Sequence, residues 1–135
     1  MAAADPELTE QVAAAAPFTA FLGIEMVSAS PHEVRARLAW REELCTAGGV
    51  LHGGALMSLA DNVGGFCAFL NLPESAAGTA TIESKTNFFA AVRDGSVHSV
   101  SRALHTGRRT IVVDTELYDD AGKLVARVTQ TQAVL

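Results

Sequence analysis

The sequence predicts an α+β domain in which an antiparallel sheet curls around one mostly buried helix. Apolar residues recur every three or four positions through one long stretch in the middle of the chain, which is typical of an amphipathic helix. On both sides of that stretch apolar and polar residues alternate, which is typical of half-buried strands. A chain of 135 residues fits a single core. We therefore expect one domain over residues 1–135, with 1–22 as an N-terminal helical segment.

The part of the chain before the long helix is expected to form helical turns followed by two strands. A short helix is predicted over 7–16, because Pro17 stops it, and a further turn over 18–22. Strands are predicted over 24–30 and 32–40, on either side of a Ser-Pro pair. The second strand alternates apolar with charged residues, so one of its faces is expected to be buried.

The long helix is predicted to start near His52 and Gly53 and to end near Asn71. Its apolar positions at helical spacing are Ala55, Leu56, Leu59, Ala60, Val63, Phe66, Cys67 and Leu70. About 18 residues at 1.5 Å each make this helix on the order of 27 Å long. Asp61 is its only acidic or basic residue after His52, which indicates a helix largely wrapped by other structure.

The rest of the chain is expected to form four strands joined by turns. The strands are predicted over 79–90, 96–105, 110–118 and 124–134. Glycine and aspartate mark the turns between them. With the two earlier strands, these four supply an antiparallel sheet that can meander around the helix.

The net charge of −5 hides a difference between the two parts of the chain. Residues 1–84 hold three Arg and Lys against ten Asp and Glu, whereas residues 85–135 hold seven against five. The overall acidity disfavours general nucleic-acid binding, which neutralises phosphates over a broad surface. Two interpretations of the basic second part stay open, a local cluster that holds a small polyanionic ligand and a set of solvated strand faces.

Composition also predicts where the protein works and what it lacks. No window reaches the roughly 18 uninterrupted apolar residues of a membrane span, and the first 17 residues carry no basic residue of the kind that opens a secretory signal. Cys67 falls among the apolar positions of the helix, so a buried thiol is favoured over a disulfide with Cys45. We expect a cytoplasmic protein with no membrane partner. The histidines and cysteines show no ligand spacing, so no metal is expected.

The start of the long helix has the chemistry of a carbonyl-binding site. A helix N-terminus has unpaired backbone N–H groups and a partial positive charge. Gly53 and Gly54 have no Cβ there, so a carbonyl oxygen can approach their amides closely. Such donors suit a thioester carbonyl, whose oxygen gains negative charge when water attacks. His52 is expected to cap the helix or to donate a hydrogen bond to the ligand.

Asp61 lies two turns into this apolar helix, where an unpaired carboxylate is costly to bury. Two interpretations stay open. In the first, Asp61 is a hydrogen-bonded residue on a polar helix edge that includes Ser58, Asn62 and Gly65. In the second, it is a general base that activates water or a nucleophile that attacks the carbonyl.

The spacing between Gly53 and Asp61 limits the mechanism. Eight residues on one helix separate the two groups by about 12 Å, and a reacting carbonyl must meet both within roughly 3 Å. One chain cannot bring both groups to the same substrate. If both are catalytic, a second subunit must supply its Asp61, and a two-fold dimer then has two composite sites.

These residues resemble the PaaI-like branch of the hotdog-fold thioesterases. The resemblance rests on His52-Gly53-Gly54 followed by Leu59-Ala60-Asp61, and it extends to the strand 81–89, the turn 106–109 and the closing hairpin. It implies a five- or six-stranded sheet around the helix and a dimer that often pairs into a tetramer. It also implies hydrolysis of an acyl-CoA, with coenzyme A as part of the substrate and no separate cofactor.

The resemblance implies roles for single residues as well. The Gly53 amide would bind the oxyanion, His52 would help to place the thioester, and Asp61 of the partner chain would be base or nucleophile. Thr81 matches a hydroxyl residue that positions the attacking water. The remaining residues expected to bind substrate are Gly54, Asn62, Arg108, Arg109 and Thr46, of which the two arginines match a region that contacts CoA phosphates.

Thr46 departs from the family pattern. Relatives commonly have Asn or Gln six residues before the histidine, and a threonine hydroxyl has a shorter reach. Efficiency or substrate orientation is therefore expected to differ. The acyl group itself stays open between aryl and medium-chain types. Residues expected to line its pocket, or else to form plain core, are Met57, Phe66, Phe88 and Phe89.

Two other functions compete with hydrolysis. The first is a non-catalytic module that binds acyl-CoA on the same fold, since fold alone does not fix chemistry. The presence of Asp61 argues against it. The second is a hotdog hydratase or dehydratase, which pairs a histidine base with a carboxylate. Neither His98 nor His105 has such a partner close in sequence, and both fall in strand segments.

Overall fold

Two short helices open the computed structural model, which describes residues 2–135. Helix α1 spans Pro6–Ala15 and is capped by Asp5, whose Oδ1 accepts from the Leu8 amide at 3.0 Å. Helix α2 spans Pro17–Leu22. Proline fits the first position of each helix because its missing N–H has no partner there in any case. The predicted helix and turn are both confirmed.

Six strands form one antiparallel sheet in the order β1-β2-β4-β5-β6-β3. The strands are β1 Glu25–Ala29, β2 Val34–Ala39, β3 Thr79–Phe88, β4 Ser96–Thr106, β5 Thr110–Tyr118 and β6 Leu124–Val134. Each neighbouring pair is antiparallel. The predicted strands therefore form within two residues of their expected ends, and the sheet has the larger of the two predicted strand numbers.

Helix α3 spans Gly53–Leu70 and packs against β2 to β6, while β1 carries α1. The larger buried apolar side chains of α3 are Leu56, Leu59, Val63 and Cys67. By length and mean hydropathy (1.2) the helix would also pass as a membrane span. Its place as the core helix under the sheet accounts for that apolar composition. The predicted α+β class with one central helix is confirmed.

One stripe of α3 stays open, which corrects the expectation of a largely wrapped helix. Met57, Asp61 and Phe69 follow one another at four- and eight-residue intervals, and all three are exposed in the single chain. Because β3 is the last strand of the sheet, no further strand covers this side. Asp61 is therefore not a buried charge within one chain, and the burial argument for its function does not hold there.

The two ends of α3 lie at opposite ends of the sheet. At the N-terminal end, the Leu51 amide donates to the carbonyl oxygen of Val92, just before β4. At the C-terminal end, Asn71 Nδ2 donates to the carbonyl oxygen of Pro31 in the turn between β1 and β2. The β4–β5 turn also lies at this second end, because Val34, just after the β1–β2 turn, pairs with Ser101 in the part of β4 that leads into the β4–β5 turn.

Candidate active site

The start of α3 presents one free backbone donor. His52 is the N-cap, and its Nδ1 accepts a hydrogen bond from the Gly54 amide at 2.8 Å. The amides of Ala55 and Leu56 both donate to the carbonyl oxygen of His52. The Gly53 N–H has no acceptor within residues 2–135. Of the two glycine amides predicted to bind a carbonyl, only that of Gly53 is free to do so.

Both glycines have close side-chain neighbours. A Cβ on Gly54 would lie 2.9 Å from His52 Nδ1, and a Cβ on Gly53 would lie 3.0 Å from the ring of Phe88. The Phe88 ring thus packs over the helix start and is 50% exposed, so it is not part of the core. The sequence left open whether Phe88 lines an acyl pocket or forms core. In the structure its ring lies beside Gly53 at the helix start.

The loop that carries Thr46 is shaped by two left-handed glycines. Gly48 and Gly49 have φ values of 83° and 73°, a conformation that costs other residues more. Arg93 Nη1 donates to the carbonyl oxygen of Gly48 at 3.1 Å, and Trp40 Nε1 donates to that of Gly49 at 3.0 Å. Thr46 is exposed in this fixed loop, at the same end of the sheet as Gly53.

Asp61 accepts two hydrogen bonds, and both reach the same oxygen. Thr81 Oγ1 on β3 donates to Asp61 Oδ1 at 2.8 Å, and Gln130 Nε2 on β6 donates to the same atom at 3.2 Å. No group within the described chain hydrogen-bonds Oδ2. One carboxylate oxygen is therefore held by the sheet, while the other is free for chemistry.

A β-bulge helps to aim Thr81 at Asp61. In the β3–β6 pairing Thr81 faces Gln132 and Glu83 faces Thr131, so Ile82 is the extra residue. A bulge of this kind increases the local twist of a strand and redirects its side chains. The structure thereby brings together two of the predicted catalytic residues, Asp61 and Thr81.

Gly53 and Asp61 do not meet in one chain. They belong to the same uninterrupted helix, which has no break over Gly53–Leu70. Eight residues of rise keep them about 12 Å apart. Within one chain the predicted site therefore consists of two half-sites, the helix start with His52 and the carboxylate with Thr81.

An apolar crevice of about 540 Å³ lies beside Asp61, between α3 and the two N-terminal helices. Its walls include Gly65, one turn after Asp61, and Thr79, two residues before Thr81. Its other lining residues are Leu8, Gln11, Val12, Ala15, Ala16, Thr19, Asn62, Phe66 and Phe69. None of these eleven residues is Asp, Glu, Lys or Arg.

Asn62 lines this crevice, but its polar groups are already engaged. Its Oδ1 accepts from Thr19 Oγ1 at 2.5 Å, and its Nδ2 donates to the carbonyl oxygen of Ser58 at 2.7 Å. The first of these bonds joins α2 to α3, and the second lies within α3. Of the four side chains expected at an acyl pocket or in the core, Phe66 lines the crevice, whereas Met57 is exposed on the open helix stripe.

Arg108 and Arg109 are both exposed in the β4–β5 turn. This turn lies at the end of the sheet opposite to the Gly53 amide of the same chain. Within one chain the two arginines are therefore separated from the carbonyl-binding half-site, as Asp61 is.

Sequence reasoning missed the two glutamines of β6. Gln130 and Gln132 are 0% and 1% exposed, and both point toward Asp61 and Thr81. A signal was present, because the buried face of this strand runs through Ala126 and Val128 and then continues with glutamine. An amide at two successive positions of a core-facing pattern indicates a polar partner on the facing element.

Two acidic groups with lowered pKa values, Asp120 and Glu33, lie away from this site. On the sheet face turned away from α3, His98 hydrogen-bonds Asp120 at 2.7 Å and holds the pKa of that carboxyl below its usual range. On the same face the hydrogen bond from Arg35 lowers the pKa of Glu33. His98 thus has a carboxylate partner 22 residues away, which its neighbours in sequence did not reveal.

Cysteine chemistry is as expected from the sequence. Both cysteines are free thiols, and Cys67 is fully buried on α3. Burial raises the pKa of the Cys67 thiol, because the low-dielectric core disfavours the thiolate. The thiol is therefore an apolar core group.

The fold and this site define a class of protein. The family model of the thioesterase superfamily matches residues 48–126, which include α3 and most of the sheet. The chain belongs to the thioesterase superfamily, has its hotdog fold and is a thioester hydrolase.

Particular relatives agree with that assignment. A crystal structure of a mutant of the Pseudomonas aeruginosa thioesterase PA1618 superposes with a TM-score of 0.87, at 30% identity over 94% of this chain and 93% of that one. The Escherichia coli 1,4-dihydroxy-2-naphthoyl-CoA hydrolase is 33% identical over 87 residues, which are 64% of this chain and 63% of that protein. The proofreading thioesterase EntH of Cronobacter sakazakii is 30% identical over the same shares.

Proposed function

We propose that the protein hydrolyses acyl-CoA thioesters with an uncharged, apolar acyl group, at two composite sites of a homodimer. The observation that carries this proposal is the state of Asp61, a carboxylate with one oxygen held by Thr81 and Gln130 and the other free. It stands on the open stripe of an otherwise apolar helix. A protein that only binds its ligand has little use for such a group beside a carbonyl.

The chemistry follows from the two half-sites. The Gly53 N–H of one chain donates to the thioester oxygen, and the helix dipole adds to its pull. Asp61 Oδ2 of the other chain takes a proton from a water whose oxygen attacks the carbonyl carbon. The tetrahedral intermediate then expels the CoA sulfur, which takes the proton back from Asp61, and the free acid leaves. Thr81 has a lone pair left to accept a hydrogen bond from the attacking water.

The open side of the chain supports a dimer. Strand β3 is ten residues long and lies at the edge of the sheet, where its outer backbone groups are unpaired. Ile82 and Phe89 are 61% and 55% exposed beside it, and Met57 and Phe69 are exposed on α3. An antiparallel pairing of β3 with its copy would cover this apolar side and set the two α3 helices against each other. A dimer of such dimers is the predicted tetramer.

The crevice beside Asp61 suits the acyl group. Its walls include Asn62 and Gly65, which lie next to Asp61 and one turn after it on α3, and none of its lining residues is charged. A charged acyl tail would lose its hydration there without finding a partner. Aryl and medium-chain acyl groups are both apolar enough to enter, and a volume near 540 Å³ has room for either.

Coenzyme A is the proposed thiol because of the two exposed arginines and because a relative, the Escherichia coli enzyme, is named as a CoA thioester hydrolase. Arg108 and Arg109 have forked guanidinium groups that match phosphate oxygens. Because they lie far from the Gly53 amide of their own chain, we assign them to the site that uses the Gly53 of the partner chain.

Asp61→Asn is the direct test of this function. The variant should lose about 10²-fold or more in turnover of an acyl-CoA, measured by thiol release, because an amide cannot take the proton. It should still bind the substrate, as seen by calorimetry. Glu74→Gln removes an exposed carboxylate from the loop after α3 and should leave turnover unchanged. Unchanged turnover in Asp61→Asn would remove Asp61 from the mechanism.

A single turnover in H₂¹⁸O separates the base from the nucleophile. With Asp61 as base, the label enters the released acid in the first turnover. With Asp61 as nucleophile, the acyl group forms an anhydride with Asp61, and attack of water on the Asp61 carbonyl puts the label into the enzyme, so the first acid carries no label. An enoyl-CoA offered in parallel should give free thiol and no hydrated thioester, whereas a hydratase would give the reverse.

A further inference from the structure

We propose that Gln132 and Gln130 are positioning residues of the reaction, which orient Asp61 through two separate hydrogen-bond routes. This inference rests on the proposed function of Asp61. Gln132 acts through Thr81, whereas Gln130 contacts the carboxylate directly. Together they hold Oδ1 and leave Oδ2 facing the open side of the chain.

The direction of the first route follows from the carboxylate. An ionised Asp61 only accepts hydrogen bonds, so the proton between Thr81 Oγ1 and Asp61 Oδ1 must belong to Thr81. With its single proton given away, Thr81 can only accept from Gln132, which lies at 2.6 Å. The Gln132 amide must therefore present Nε2 to Thr81.

The far end of this route is fixed as well. With Nε2 turned to Thr81, Gln132 Oε1 lies 3.1 Å from Thr79 Oγ1, which can donate to it. Thr79 also lies 2.8 Å from the carbonyl oxygen of Ala133, so both acceptors share its proton. With Thr81 donating to Asp61, the amide of Gln132 is thus satisfied at both ends.

Gln130 supplies the second route, but one of its buried polar atoms has no hydrogen-bond partner within the described chain. It is fully buried, and a Cβ on Gly64 would overlap its Oε1 atom. That same Oε1 has no hydrogen-bond partner within the described chain. A buried, half-satisfied amide is destabilising, and an apolar side chain would pack better at this position. Its one polar contact is with Asp61, so the arrangement serves the carboxylate rather than the fold.

The two routes predict that the loss of kcat depends on Thr81 for Gln132→Met but not for Gln130→Met. Gln132→Met removes the donor to Thr81 at similar volume, and it should lower kcat about tenfold with little change in KM, because substrate contacts are untouched. In a Thr81→Val background the same change should cost less than about twofold, because the route through Thr81 is already broken. Gln130→Met should lower kcat about tenfold in both backgrounds.

Thr131→Val is the matched control, since Thr131 lies between the two glutamines on the opposite face of β6. It should leave kcat unchanged. Thermal melting shows which variants fold, and Thr81→Ser, which keeps the hydroxyl, should retain the sensitivity to Gln132→Met. If Gln132→Met fails to fold, the Gln130→Met pair still tests the direct route.

Wild-type kcat in folded Gln132→Met or Gln130→Met would overturn the assignment of that residue. An equal loss from Gln132→Met with and without Thr81 would also overturn the relay, because a purely structural effect adds to any other. These failures differ from a failure of the proposed function. If Asp61→Asn were active, the carboxylate would have no catalytic role to support, whereas an inactive Asp61→Asn beside an active Gln132→Met rejects the positioning role alone.

Discussion

His52 Nδ1 accepts a hydrogen bond from the Gly54 amide at 2.8 Å, so in neutral His52 the ring proton is on Nε2. The bond does two things at once. It caps α3, and it turns an N–H donor outward at the point where the Gly53 amide is also free. Under the proposed function, His52 Nε2–H and the Gly53 amide are the two donors expected to bind the thioester oxygen, while the Gly54 amide serves the cap.

Two substitutions separate these roles of His52. His52→Asn keeps a side-chain acceptor for the cap and should melt close to the wild type, whereas His52→Ala should lose about 1 kcal/mol of stability. Both lack the outward Nε2–H, so both should lose about tenfold in kcat/KM. Thermal melts and acyl-CoA hydrolysis are measured on the same preparations. Full activity in His52→Asn would limit His52 to capping.

The crevice can be shortened at Gly65. A Cβ there meets no atom within 4 Å, so a larger side chain can enter the crevice without strain. Gly65→Leu should lower kcat/KM for octanoyl-CoA or benzoyl-CoA about tenfold or more and change that for acetyl-CoA little. Gly65→Ala should lower kcat/KM for octanoyl-CoA or benzoyl-CoA by less than Gly65→Leu does. An equal loss of kcat/KM for the long, aromatic and acetyl thioesters would mean that the acyl group does not bind in this crevice.

Arg108 and Arg109 are expected to bind only the phosphate groups of CoA. Arg108→Gln with Arg109→Gln should raise KM for an acyl-CoA about tenfold at low salt, and added salt should reduce the difference. Hydrolysis of the N-acetylcysteamine thioester of the same acid should not change, because that thioester has no phosphate. Lys123→Gln, an exposed cation in the β5–β6 turn, is the matched control. Equal loss with both thioesters would contradict the assignment.

Much of the fold could be predicted because α3 and the strands have strong periodic patterns. The α3 ends are also chemically marked, by Gly53 at the start and by Asn71 as its C-cap. Periodicity could not show that β3 is the edge strand, since strand order depends on contacts far apart in sequence. For that reason the exposure of Asp61 was wrongly expected to be low.

The site was predicted in part for a similar reason. Gly53 and Asp61 lie on one helix, so their separation follows from its rise alone. The contact of Asp61 with Gln130 spans 69 residues, and it depends on how β6 lies across α3. The bulge at Ile82, which aims Thr81, leaves no mark in the alternation of a strand whose residues are mostly exposed.

Mixed dimers test whether the two half-sites belong to one reaction. A Gly53→Ala chain carries a Cβ against the Phe88 ring beside the free amide, and an Asp61→Asn chain lacks the base. Each homodimer should be about 10²-fold or more below the wild type, because every site in it has either an obstructed amide or no base. A heterodimer isolated with two different tags pairs one intact amide with one intact carboxylate.

Such a heterodimer should have about half the wild-type turnover per dimer, because one of its two composite sites is complete. Doubly tagged Asp61→Asn dimers, prepared in the same way, should stay inactive, which controls for carried-over wild-type enzyme. The recovery requires that the carboxylate of one chain work with the amide of the other. An inactive heterodimer, or full activity in a chain shown by sedimentation to be monomeric, would overturn the composite site. The unbroken helix keeps the Gly53 amide and the Asp61 carboxylate of one chain about 12 Å apart.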